Sequence, residues 1–269
     1  MNTIYNKYIS FLLLVILIAG FTSCEKEIDV ELNSVPPRMV IEGIVKQDQL
    51  ATVRVTQTID FSNNEGYPNL KGATVTISDN AGNSEILEQN EKGWYTAKEL
   101  RGVIGRTYTM SVIYDGEEYI STSQMPPQVP IDSITMIKVP VMDYAFPVVN
   151  FRDPAGEDNQ YYRAVIFING KQHPDVMEFV QSAEFSDGGY FNMGLQVYTN
   201  DSDTDPINKG DEITVEFQCI DKGTYTFFLT LSSIGQSPTN AISNISNGAL
   251  GYFSACTTEQ KTIIADWED

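Results

Sequence analysis

The sequence has 269 residues, of which 17 are basic and 36 acidic, giving a net charge of −19. That length holds two ordinary domains or one large all-β domain. The acidic excess argues against a basic face for nucleic acid or anionic lipid, since both partners carry the same sign. One histidine and three cysteines leave no His/Cys cluster for a metal.

The chain begins with one basic residue, Lys7, ahead of an apolar run from Phe11 to Ile18, then Ala19-Gly20-Phe21-Thr22-Ser23-Cys24. A short apolar core followed by small residues is a processing signal, and the run is too short to span about 30 Å of hydrocarbon. Residues 1–23 therefore read as a signal peptide. Cys24 reads as the site of lipid attachment, where acyl chains such as palmitate would hold the protein on a membrane. A plain secretory signal with an incidental cysteine is the alternative. Residues 24–37 read as an acylated tether. Its acidic residues recur at Glu25, Glu27, Asp29 and Glu31 around Lys26, and Pro36-Pro37 closes it stiffly.

From residue 38 the chain alternates like β-structure. Strands are expected at 40–45 and through Val53, Val55 and Ile59. A third runs through Ala73, Val75 and Ile77, ended by the 79–83 turn cluster. Short strands follow at 84–89 and 94–96. Another runs from Thr107 to Val112, and Asp115-Gly116 turns it into Tyr119-Ile120-Ser121. This is an immunoglobulin-like β-sandwich over 38–126, with Val53, Val55, Val75, Ile77, Trp94, Tyr108, Met110 and Val112 in its core. The proline-rich segment 125–130 marks a domain boundary near 126–131.

Residues 131–269 read as a second β-rich domain, with strands near 132–139, 144–152, 160–168, 176–181, 190–199 and 211–220. In the last of these, Ile213, Val215, Phe217 and Cys219 share a face. A helix near 222–234 packs on this sheet, with Asp221 as N-cap and Gly235 as its stop. A polar loop and a final strand or two follow. The expected fold is mainly β: two sandwich-like domains, the second with one packed helix. Cys219 and Cys256 form an even pair, and a disulfide and two buried thiols both remain open.

The chemistry of catalysis is sparse. His173 sits in a Gly-Lys-Gln-His-Pro turn and reads as a surface residue. No Gly-x-Ser-x-Gly elbow or phosphate-binding loop is present, so no enzyme activity and no cofactor are expected. Asp201, Asp203 and Asp205 offer oxygens at every second residue, as a calcium loop does. Pro206 occupies the place where such a loop needs glycine, so a solvated acidic hairpin is the better reading. The pairs Tyr161-Tyr162, Tyr190-Phe191 and Tyr252-Phe253 each put one aromatic on either face of a strand, where an outward ring could anchor a partner or stack on a sugar, although lining a second core layer is the commoner outcome.

Several segments together carry a resemblance: Gly105–Val112, Tyr119–Pro126, Phe151-Arg152-Asp153-Pro154, Tyr161-Tyr162-Arg163 and Gly210–Val215. The chain closes with Ser243-Asn244-Ile245-Ser246-Asn247-Gly248-Ala249-Leu250-Gly251-Tyr252-Phe253. This order resembles the Bacteroidota lipoproteins grouped as domain of unknown function 4249. The first half also resembles immunoglobulin-like or prealbumin-like modules of carboxypeptidase-regulatory domains. The resemblance implies an outer-membrane lipoprotein, often encoded beside a TonB-dependent receptor, and no established reaction. Lys26 flanked by Glu25, Glu27, Asp29 and Glu31 is similar to the signal that sends such lipoproteins to the cell surface. In the closing motif, Asn244, Asn247, Gly248, Gly251, Tyr252 and Phe253 read as a structural crossover, with a partner-binding patch as the second reading. The expected role is an accessory or cargo-binding component beside such a receptor. The alternative is an independent surface module binding a glycan or host protein.

Overall fold

The computed structural model describes residues 36–59, 66–139, 144–156, 161–173, 179–197, 207–233 and 240–268. β-Branched and aromatic residues alternate with polar ones through most of these stretches, and strands form where they do. The first eight are β1 (Met39–Lys46), β2 (Leu50–Gln57), β3 (Thr74–Asp79), β4 (Ser84–Ile86), β5 (Glu88–Gln89), β6 (Trp94–Arg101), β7 (Thr107–Tyr114) and β8 (Glu117–Gln124). After the proline segment come β9 (Ile131–Val139), β10 (Tyr144–Arg152), β11 (Tyr161–Ile168), β12 (Lys171–Gln172), β13 (Phe179–Ser182), β14 (Tyr190–Gly194) and β15 (Glu212–Ile220). Helix α1 (Lys222–Leu231) and strand β16 (Leu250–Ile264) complete the described elements. The chain is mainly β, in sandwich-like layers, with one helix among the described residues.

A long sheet runs in the order β12-β11-β15-β16-β1-β2-β6-β5, with β13 also paired to β11. Two smaller sheets, β4-β3-β7-β8 and β14-β10-β9, pack on it. The joint is β16. Its residues 250–256 pair in parallel with β1, and its residues 257–264 pair antiparallel with β15. The sequence suggests a final strand or two; a single strand of 15 residues serves both halves of the sheet.

Successive side chains of a strand point to opposite faces. On the front face, Ile41, Val45, Val53, Val55 and Phe253 meet Val75, Ile77, Tyr108, Met110 and Val112 of the first small sheet. Farther along the same face, Tyr162, Ile166, Ile213, Val215 and Phe217 meet Ile134, Val149 and Phe151 of the second. Phe151 sits at the centre of this second core, with ring centroids 4.6 Å from Tyr162 and 4.7 Å from Phe217.

Pro37–Asp269 is one compact unit. Across the proline segment Met125 belongs to the first core cluster and Val129 to the second. The sheet itself is continuous. Ile245, Ala249, Phe253 and Ala255, placed by the sequence in the second domain, fill the first core.

Two local expectations change in the structure, and one aromatic pair takes its commoner outcome. Trp94, expected in the core, is only half-buried, and Tyr95 fills the core place at 3 % exposure. Trp94 pairs in register with Arg54, on the face away from the small sheet. Tyr161 and Tyr162 are both buried, the outward ring lining a second layer, because α1 covers one face of β11 and the second core covers the other. His173 is buried rather than on the surface, its backbone N–H donating to Ile166.

Helix α1 starts where the sequence places it. The Asp221 carboxylate accepts the Thr224 N–H at 2.8 Å, satisfying a donor that has no intrahelical partner. The helix ends at Leu231, capped by Ser232; Gly235 lies outside the described residues.

Candidate functional site

Among the described residues no second sheet covers the back face of the long sheet, whose two wings line one groove. Lys46, Leu50, Thr52 and Trp94 come from the β1-β2-β6 wing, and Val165 and Phe167 come from β11 on the other wing. Glu216, Gln218 and Tyr252 also line it. This cavity holds about 410 Å³ and adjoins a second of about 430 Å³ beneath α1, through the shared residues Arg163, Gln172 and Tyr252. Both volumes fall within the range of about 300–1,000 Å³ common for small-ligand sites.

The polar groups of the groove are tightly tied. Lys46 Nζ donates to Glu216 Oε1 at 2.6 Å. The amides of Gln218 and Gln260 donate to Glu216 at 2.7 and 3.1 Å. Arg163 donates to Gln218 Oε1 at 3.2 Å, and its guanidinium stacks 3.9 Å from the ring centre of Phe228. Glu216 is only 6 % exposed. Burial pushes its carboxyl pKa up, but the Lys46 ammonium and the two amides outweigh this and hold it below the usual carboxylate range. The charge is thus fixed in place and paired.

Beside the groove a second row crosses four strands in register. Tyr252 stands opposite Glu42, Glu42 opposite Arg54, and Arg54 opposite Trp94. Arg54 bridges to Glu42 at 3.7 Å, and its guanidinium lies 5.8 Å over the Trp94 ring. Tyr252 is braced from the helix side by Phe227 and Phe228, with centroids 5.1 and 4.7 Å away.

A larger cavity of about 700 Å³ lies at the β4–β6 edge, lined by Asp79, Glu85, Lys98 and Arg106 among others. Its carboxylates already serve the backbone. Glu85 accepts the N–H groups of Lys98, Glu99 and Leu100, and Asp79 accepts those of Ala81 and Asn83 and the Arg106 guanidinium. The groups there hold the sheet edge together, so the back groove is the better candidate despite its smaller volume.

The closing motif is a clamp. Asn244 Nδ2 donates to the Phe253 carbonyl at 2.8 Å, and Asn244 Oδ1 accepts the Phe253 N–H at 2.9 Å. Asn247, in the left-handed region at φ 59°, donates to Glu117 at 2.9 Å. Gly248 accepts from Arg38 at 2.6 Å, and Gly251 lies at φ 95° against Ile41. Phe253 is core, while Tyr252 lines both the groove and the cavity that adjoins it.

The two remaining cysteines are free and buried. Cys219 stands opposite Thr257, one residue from Cys256, so the pleat sends the sulfurs to opposite faces. Cys219 packs in the second core and Cys256 in a separate cluster with Tyr161 and Ile220. This geometry overturns a disulfide between them. Burial raises the thiol of Cys219 to about 11 and that of Cys256 to about 12.

Cys24, the tether residues Glu25, Lys26, Glu27, Asp29 and Glu31, and the acidic residues Asp201, Asp203 and Asp205 lie outside the described residues. The groove escapes sequence reading because its two walls, at residues 46–94 and 165–167, come from segments about 70 to 120 residues apart. The one local signal is that Trp94 and Phe167 each sit in strands whose other face is already apolar.

A search of curated proteins returns no match to the chain. A protein-family model described as Domain of unknown function (DUF4249) matches residues 25–262, nearly the whole described fold and both walls of the groove. The chain belongs to this family.

Proposed function

We propose that the protein is a non-enzymatic lipoprotein of the outer membrane, exposed at the cell surface, that binds cargo for a TonB-dependent uptake system. The signal-like segment ending at Cys24 supports the anchor, and the family match begins at residue 25, directly after that cysteine. The observation that carries the binding role is the groove. It is a preformed concave surface in which half-buried aromatic side chains surround a fixed polar centre. Tethering beside a receptor raises effective concentration, so a weak contact suffices to pass cargo on.

The test is a mild-detergent pull-down of the tagged, lipidated protein from native outer membranes, with mass spectrometry of the recovered partners. A stoichiometric TonB-dependent receptor is the expected result. Recovery of the lipoprotein alone, in a detergent that preserves a known receptor complex, would overturn the receptor partnership. The groove's aromatic lining equally suits the second reading, a surface binding module that works without a receptor.

A further inference from the structure

We propose that the back groove binds a short neutral oligosaccharide, seated between Trp94 and Phe167 and hydrogen-bonded by the polar side chains between them. The inference rests on reading this groove as the cargo site, and four features of it select the ligand class.

The first is charge. The chain carries −19 overall, yet the residues lining the two joined cavities include two basic groups, Lys46 and Arg163, and two acidic ones, Glu42 and Glu216. Lys46 is paired with Glu216 and Glu42 with Arg54. A charged ligand would compete with these pairs and would disturb Arg163, which already donates to Gln218 and stacks on Phe228. A neutral ligand does neither.

The second is the mixture of surfaces. Trp94 and Phe167 rise from opposite wings, with Tyr252 between them on β16. The C–H faces of a pyranose ring suit such rings, and its hydroxyls suit planar amides, carboxylates and guanidinium groups. A hydrocarbon chain would instead leave the Lys46–Glu216–Gln218 groups facing apolar atoms, at the cost of their remaining hydration.

The third is that the groove presents a sheet face. The main-chain donors of β1, β2, β15 and β16 are engaged with neighbouring strands. An extended peptide recognised through main-chain ladders needs a free edge, so only side chains can read an occupant here.

The fourth is length. Trp94 in β6 and Phe167 in β11 lie five strand spacings apart, about 24 Å at about 4.8 Å per strand measured along the sheet. That span fits a few linked sugar units rather than one.

The probe is an array of neutral and anionic glycans presented to the full-length lipidated protein in detergent micelles, followed by calorimetry with the best soluble hit. The expected result is binding of at least one neutral oligosaccharide. Trp94→Ala and Phe167→Ala should each weaken it about tenfold, and Trp94→Phe should restore part of the loss. Circular dichroism melts confirm that the variants fold; a variant that fails to fold is replaced by Thr52→Trp, which fills the groove and should abolish binding. The proposal is overturned if no neutral glycan binds, if only uronic-acid glycans bind, or if binding ignores all three positions. It is equally overturned if a peptide library binds in the groove and glycans do not. Receptor recovery without glycan binding refutes only the ligand class. Trp94-dependent glycan binding without receptor recovery refutes only the receptor.

Discussion

Asn244 holds Phe253 by both of its main-chain groups, donating through Nδ2 at 2.8 Å and accepting through Oδ1 at 2.9 Å. A side-chain amide here does the work of a neighbouring strand. It satisfies the outer edge of β16 at the point where β15 has already turned into α1. The same residue's carbonyl accepts from Ser121 at 2.7 Å, so one asparagine ties the crossover to β8 and to β16.

Replacing Asn244 with alanine removes both bonds and leaves two main-chain groups unpaired. The expected cost is about 2 kcal/mol, seen as a lower denaturant midpoint at unchanged slope. Asn244→Asp should cost at least as much, because a carboxylate then faces the Phe253 carbonyl where a donor stood. An Asn244→Asp protein as stable as the parent would contradict the clamp.

Gly248 and Gly251 both have positive φ, at 72° and 95°, but their surroundings differ. A Cβ at Gly251 would come within 2.0 Å of the Ile41 carbonyl oxygen, whereas a Cβ at Gly248 meets nothing within 4 Å. Gly251→Ala should therefore cost more than about 3 kcal/mol, through strain and loss of the β1–β16 pairing. Gly248→Ala should cost only the left-handed backbone penalty, about 1–2 kcal/mol. Equal effects in thermal melts would show that the close approach to β1 is not what limits position 251.

Glu216 at the groove floor, with Asp79 and Glu85 at the sheet edge, ties stability to pH. Burial pushes each carboxyl up, yet hydrogen bonds and paired cations hold each below its ordinary value. A folded-state pKa below the unfolded one contributes stability fully above the unfolded value. That contribution is lost as pH falls through the folded value. The melting temperature should therefore hold from neutral pH down to about pH 4.5 and fall steadily below it. Glu216→Gln should flatten part of that acid limb. Lys46→Met, which strands the buried carboxylate, should cost about 3–5 kcal/mol at neutral pH. An acid limb unchanged in Glu216→Gln would remove Glu216 from this account.

Cys219 and Cys256 should behave as inert apolar residues. A thiol reagent at neutral pH should label neither in the folded protein and both after denaturation, and a reductant should leave the melting temperature unchanged. A non-reduced mass two hydrogens lower than the reduced one would contradict the opposed sulfurs.

Much of the local structure is legible from alternation alone. The strand expected at 144–152 is β10 to the residue, Ile213, Val215, Phe217 and Cys219 share a face, and Asp221 caps the helix. Asp115-Gly116 makes the expected hairpin, with φ of 51° and 83° at its two turn residues. What alternation does not carry is which of two apolar faces is the core. In Trp94-Tyr95-Thr96-Ala97 either choice buries one aromatic, and the decision belongs to Arg54, which stands opposite Trp94 on the polar face. Burial on both faces of β11 likewise depends on α1, some 60 residues farther along. The pairing of β1 with β16 spans more than 200 residues and leaves no local trace. The groove depends on that pairing, so it becomes visible only once the sheet is assembled.

Strand β16 also sets a schedule. Residues 250–264 supply Phe253 and Ala255 to the first core and the partner strand of β15 to the second. Neither half can close while those residues are still unsynthesised, however early the other strands emerge. Such long-range pairing slows folding. A polypeptide whose first strand must wait for residue 250 stays open, and therefore threadable, until that residue has emerged.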